Sequence, residues 1–131
     1  MCQTENCPLL IAYGGIFALI RNVTRNSILI NNCSYAITFF ARFKGLQFKK
    51  ALPEGHGLLI TPCNSIHMFF MRFPIDAVFI DSSNKVVYII EGIRPWRISK
   101  VIPKAKSVLE LPYGTVASTD THVGDQLEVS E

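Results

Sequence analysis

A chain of 131 residues fits one domain and leaves no room for a second of ordinary size. Hydrophobic residues make up 49% of it and charged residues only 18%, so it can bury a core, and wholesale disorder is excluded. Thirteen basic against ten acidic side chains give a net charge of +3. That permits an anionic partner without requiring one, and it is too small for a dedicated nucleic-acid binder.

Taken in chain order, the first feature is Pro8–Ile20, an apolar run of 13 residues interrupted by Gly14 and Gly15. A membrane-spanning helix needs about 20 residues, and no Lys or Arg precedes the run, as one would before a secretory signal. The run reads as an extra strand or a loosely packed extension over residues 1–20. Membrane association through residues 8–20 is the lesser reading. Cys2, Cys7, Cys33 and Cys63 form no C-x-x-C pair and read as the reduced thiols of a cytoplasmic protein.

Residues 27–30 (SILI) look like a strand ended by Asn31 and Asn32. One short helix is expected near residues 35–44, capped by Ser34. Ala36, Phe39, Phe40 and Phe43 recur at helical spacing along it, and Gly45 closes it. A turn region follows at residues 53–57, then apolar runs at Leu58–Ile60, Ile66–Phe73, Ile75–Ile80 and Val86–Ile90. The last two are joined by Asp81-Ser82-Ser83-Asn84, a hairpin loop in which Asn84 tolerates positive φ. Ser107–Leu111 and Gln126–Val129 complete the series, with turns at Pro112-Tyr113-Gly114 and Val123-Gly124-Asp125. The expected fold is mainly β: a small sandwich or partly open barrel of about six to eight short strands.

Several segments have a combined pattern beyond this periodicity: ARFKGL (41–46), LPEGHGLLITPCNSIHMFFMRFPIDAVFID (52–81), EGIRPWR (91–97), SVLELPYGT (107–115) and GDQLEV (124–129). In that order they resemble the domain-of-unknown-function 192 family over about residues 21–130. The resemblance implies a compact β-rich domain with one short helix, and it implies no established activity, substrate or cofactor. Asn84 stands where relatives usually carry Gly. Residues 1–20 fall outside the resemblance, which leaves 21–131 as the domain.

Candidate chemistry concentrates between Cys63 and Asp76. If this stretch is extended, His67, Phe69, Met71 and Phe73 share one face, with Cys63 in the same parity. His67 is then a core histidine, a general base or a metal ligand. Cys63 and His67 are the weak metal candidates, in a spacing that matches no strong zinc motif. Asp76, set in an apolar run, needs hydrogen bonds or a cation, and Arg72 and Arg42 are the expected partners. Glu110, within VLELP, presents the same need. His67, Asp76 and Glu110 are therefore the weak catalytic candidates. The second concentration is Gly92–Leu109, which holds Arg94, Arg97, Lys100, Lys104 and Lys106, no acid, and Trp96. Arginine beside an aromatic ring suits an anionic group that is gripped and stacked at once.

Two functional readings follow. The leading one is a non-enzymatic binding or accessory domain with a small pocket or partner face, its contacts made by Arg94, Trp96, Arg97 and Arg72. Its partner would be an anionic small molecule or a protein, with nucleic acid disfavoured and no cofactor expected. The alternative is a small metal-assisted or acid/base hydrolase using His67 and Asp76.

Overall fold

The structure is a computed structural model that describes residues 18–36 and 50–130. Seven strands form a single sheet: β1 (Ala18–Asn22), β2 (Ser27–Ala36), β3 (His56–Ile60), β4 (Ile75–Ile80), β5 (Val86–Ile93), β6 (Ser107–Pro112) and β7 (Leu127–Ser130). One helical turn, α1 (Thr115–Ser118), follows β6. The strand order is β5-β4-β6-β3-β2-β1-β7. Neighbours are antiparallel except β2 and β3, which run parallel.

The sheet curls until its two ends meet at one corner. Lys85 bridges Gln126, the Val86 N–H donates to Asp125 O at 2.9 Å, and the Gly124 N–H donates to Val86 O at 2.8 Å. The result is a half-barrel, the partly open barrel expected from the sequence.

Both faces of the central strands are buried, and this explains their unbroken apolar reading. The inner face carries Ile20, Ile30, Cys33, Leu59, Val78, Ile80, Val86, Leu109, Leu111 and Leu127, so every strand contributes to it. The outer face carries Leu58, Ile60, Ile75, Ala77, Phe79 and Val108, over which Ile66, Met68, Met71 and Ile102 pack from two long loops. Side chains alternate between the faces along each strand.

Asp125 holds the closing corner. Its Oδ2 accepts from Asn22 Nδ2 at 2.9 Å, Arg25 Nε at 3.0 Å and the His122 N–H at 2.9 Å. Burial pushes this carboxyl up, but the bonds from Arg25, Asn22 and the His122 amide outweigh it and hold the group below the usual carboxylate range. The stabilisation is present above the ordinary carboxylate pKa and is lost as pH falls through the depressed value. Asp125→Ala leaves Asn22 and the His122 N–H without their acceptor. It is expected to cost about 3 kcal/mol, read as a lower urea midpoint with the slope unchanged.

Three sequence expectations need correction. Asn31 and Asn32 do not end the second strand. β2 continues to Ala36 because residues 32–36 pair with β3, Ser34 opposite Leu58. Ser34 is thus a ladder residue and not a helix cap, and Tyr35 and Ala36 are strand; residues 37–44 of the expected helix, Arg42 among them, lie outside the described residues. The stretch 66–73 is not a strand. His67 makes a single bridge to Ile98, and the chain turns at Phe69–Phe70, where Phe70 has φ 63°. By contrast, the hairpin after β4 matches its expectation: Asn84 has φ 64°, and Asp81 Oδ1 accepts from the Ser83 and Lys85 amides. Of the apolar run Pro8–Ile20, the last three residues belong to β1 and the rest lie outside the described residues.

Candidate functional site

The loop between β3 and β4 (61–74) and the loop between β5 and β6 (94–106) lie against each other above the outer face. Met68 N–H donates to Arg97 O and Trp96 N–H to Met68 O, both at 2.7 Å. Ser99 N–H donates to Ile66 O at 2.9 Å, and Ile102 N–H to Asn64 O at 2.8 Å. Ile66, Met68, Met71 and Ile102 are buried beneath. A backbone ladder and four apolar anchors therefore fix two loops that would otherwise move independently.

On this support two large aromatics are turned outward. Phe70 is 49% exposed and Trp96 58%. Their ring centroids are 4.9 Å apart, and Trp96 also lies 6.0 Å from Phe69. Both have left-handed backbone, with φ 63° and 69°. A bulky side chain in that region costs roughly 1–2 kcal/mol, and such strain collects where a surface has work to do. Ile98 and Val101 are exposed on the same loop pair, as are Arg72, Arg94, Arg97 and Lys100. Among the described residues no carboxylate lies within ion-pair distance of these four cations; Lys100 Nζ sits 4.8 Å over the Tyr88 ring.

The structure thus places Arg72, Arg94, Trp96 and Arg97 together on one pair of loops. His67 is at the edge of the same cluster, its ring 4.7 Å from Phe69. Its Nδ1 accepts a long bond, 3.4 Å, from the Phe69 N–H, and burial lowers its pKa. Both effects favour a neutral ring.

The remaining candidates do not join it. Asp76 is fully buried on the inner face, beside Leu111. Its partners are backbone amides and not Arg72, and Arg42 lies outside the described residues. Oδ1 accepts from the Gly92 N–H at 2.9 Å, and Oδ2 from the Gly114 and Val116 N–H groups at 3.1 and 2.9 Å. Gly92 (φ 65°) and Gly114 (φ 100°) supply the backbone conformations that bring those amides in. Glu110 faces the opposite way, into the outer core between Leu58 and Ala77. Its Oε1 is buried without a hydrogen-bond partner among the described residues, and burial pushes its pKa up to about 8.

Cys63 Sγ donates to Ser65 O at 2.9 Å and lines an open depression of ≈ 200 Å³ with Pro62, Asn64, Ala105 and Lys106, below the usual size of a ligand pocket. Cys33 is sealed in the inner core, where burial pushes its thiol up to about 12. No group of three or more His, Cys, Asp or Glu side chains that could hold a metal occurs among the described residues.

With this geometry in hand, comparison with known proteins places the architecture. The profile of the DUF192 family, described as an "Uncharacterized ACR", matches residues 21–129. The chain belongs to the DUF192 family. A UPF0127 protein of Thermococcus sibiricus is 34% identical over 116 residues, covering 84% of this chain and 73% of the relative. Another UPF0127 protein, from Pyrococcus abyssi, is 40% identical over 99 residues, covering 71% of this chain and 81% of the relative. A crystal structure of a protein of unknown function from Novosphingobium aromaticivorans superposes with a TM-score of 0.75 at 20% identity, covering 86% of this chain and 84% of that one. That likeness speaks for the fold alone. Among the described residues of this DUF192 chain no helix is long and apolar enough to cross a membrane.

Sequence reasoning missed Phe70, Ile98 and Val101 as parts of the face. A signal was present: Phe70-Met71-Arg72-Phe73-Pro74 and Arg94-Pro95-Trp96-Arg97 both set an aromatic, an arginine and a proline together. The strand reading of 66–73 concealed it.

Proposed function

We propose that this DUF192 chain is a non-enzymatic binding module that grips an anionic partner with the face built from Phe70, Trp96, Arg72, Arg94 and Arg97. One observation carries this reading. Two bulky aromatics are held outward in strained left-handed backbone, their tilted rings in contact, on loops whose cations have no carboxylate at ion-pair distance among the described residues. Half-exposed bulky rings in left-handed backbone are a costly way to pack a loop. A contact surface gains a desolvated aromatic anchor and a favourable field for an anion.

The test uses the chain's single tryptophan as its own reporter. Poly-glutamate at low salt is expected to change Trp96 emission saturably. Arg94→Glu with Arg97→Glu should abolish the change while the circular dichroism spectrum stays native. An unchanged titration in the double variant, with the fold intact, removes the assignment of this face.

A further inference from the structure

We propose that the partner of the two-loop face is the anionic surface of a lipid bilayer. The inference rests on the reading that this face is where the chain binds, and it names what is bound. Tryptophan and phenylalanine at exposed loop positions are the side chains that settle at the boundary between headgroups and acyl chains. Here Phe70 and Trp96 are joined by Ile98 at 65% and Val101 at 59% exposure on the same loop pair. Arg72, Arg94, Arg97 and Lys100 stand exposed on the same two loops, and the segment Gly92–Leu109 contains no acid.

The chemistry favours a bilayer over a protein. A protein surface must match shape, and this face offers outward-standing rings on two loop tips. A lipid surface asks only for apolar side chains to insert and cations to lie along anionic headgroups. The long apolar stems of arginine and lysine extend along that boundary while their charges remain in water. The backbone ladder between the loops and the left-handed turns at Phe70 and Trp96 hold the rings outward before any contact is made, so little ordering is needed on binding.

The full chain is mixed with vesicles of phosphatidylcholine alone and of phosphatidylcholine with phosphatidylserine, and sedimentation and Trp96 emission are both followed. The expected result is sedimentation with the anionic vesicles only, weakened by added salt, with Trp96 emission moving to shorter wavelength. Arg94→Gln with Arg97→Gln should lower partitioning roughly thirtyfold, since each surface cation contributes about fivefold. Phe70→Ser should lower it roughly tenfold, and serine suits the left-handed position at least as well as phenylalanine, so the fold is kept.

Sedimentation without a Trp96 shift, or unaffected by the arginine variant, overturns the proposal by placing the contact elsewhere in the chain. If vesicles leave Trp96 unmoved while poly-glutamate moves it, the bilayer falls, an acidic protein takes its place and the binding face stands. If neither probe moves it, both readings fall. Self-association that Phe70→Ser abolishes names a second copy of this chain as the occupant and also overturns the bilayer.

Discussion

Asp76→Ala is expected to be among the most destabilising single substitutions in this chain, at about 4 kcal/mol. The carboxylate is fully buried, and its two oxygens accept three backbone amides, from Gly92 in β5 and from Gly114 and Val116 around the start of α1. Removing it leaves those N–H groups facing an apolar interior. Each orphaned buried donor costs about 1–3 kcal/mol, and the Val116 donor is buried outright. Asp76→Asn should be nearly as damaging. Its amide keeps one acceptor oxygen, but its NH2 group must then point at an N–H donor.

Against a total stability of roughly 5–15 kcal/mol for a single domain, such a loss is a large fraction. Urea unfolding of the two variants against the parent measures it. A loss below about 1 kcal/mol for Asp76→Ala would mean that water replaces the carboxylate, and that Asp76 does not fix the junction of β4, β5 and α1.

Glu110 should impose the opposite kind of pH dependence from Asp125. In the folded chain burial raises its pKa to about 8, whereas the unfolded chain ionises it in the ordinary glutamate range, near about 4.3. Between these values the folded state binds the proton and the unfolded state does not, so stability falls as pH rises. The contribution is fully present below the ordinary value and is gone once pH has climbed through about 8. The span corresponds to at most roughly 4–5 kcal/mol, at about 1.4 kcal/mol per pH unit.

The physical cause is visible in the outer core. The side chain sits between Leu58 and Ala77, and its Oε1 has no hydrogen-bond partner among the described residues, so burial disfavours the ionised form. Glu110→Leu should flatten the slope between pH 5 and 8 and leave the variant more stable than the parent at the alkaline end. Glu110→Gln should flatten it equally while adding an amide that needs partners. Subtracting the variant's curve from the parent's removes the histidines from the comparison. A parent curve that already runs parallel to both variants would exclude a buried protonated carboxyl.

The two acids illustrate how far sequence reasoning reached. Asp76 and Glu110 both stand in apolar runs, and from the runs alone both read as buried carboxylates in need of partners. That much was legible, because burial follows from the hydrophobicity of neighbours. Their fates were not legible. Asp76 pairs with Leu111 in register and points inward to three amides, while Glu110 lies opposite Ala77 and points outward to none. Backbone amides have no residue signature, so no inspection of side-chain types could have named Gly92, Gly114 and Val116 over Arg72.

The two loops tell the same story from the surface. By residue type, Arg94, Trp96, Arg97 and Arg72 suit an anion. Nothing in the sequence showed that residues 24 or so positions apart share one face. Trp96 meets Phe70 because the Met68 N–H donates to Arg97 O and Met68 O accepts from the Trp96 N–H across the loops. The reading of 66–73 as a strand failed for a related reason. Aromatic and β-branched content marks a segment for burial, but whether it pairs with a neighbour depends on where the sheet ends. Here β4 begins only at Ile75.

By itself, then, the sequence determined the class of fold, the positions of most strands from Leu58 onward, the Asp81–Asn84 hairpin and the types of residue available for binding. All of these follow from interactions within a few residues: alternation of burial, turn chemistry and the φ preference of Asn84. The tertiary structure alone decided the parallel pairing that draws β2 on to Ala36, the face each carboxylate occupies, the clasp at Asp125 and the meeting of Phe70 with Trp96. These depend on contacts between segments far apart in the chain. A local pattern sets how much a residue needs to be buried or paired, but the partner is fixed only when the sheet has curled.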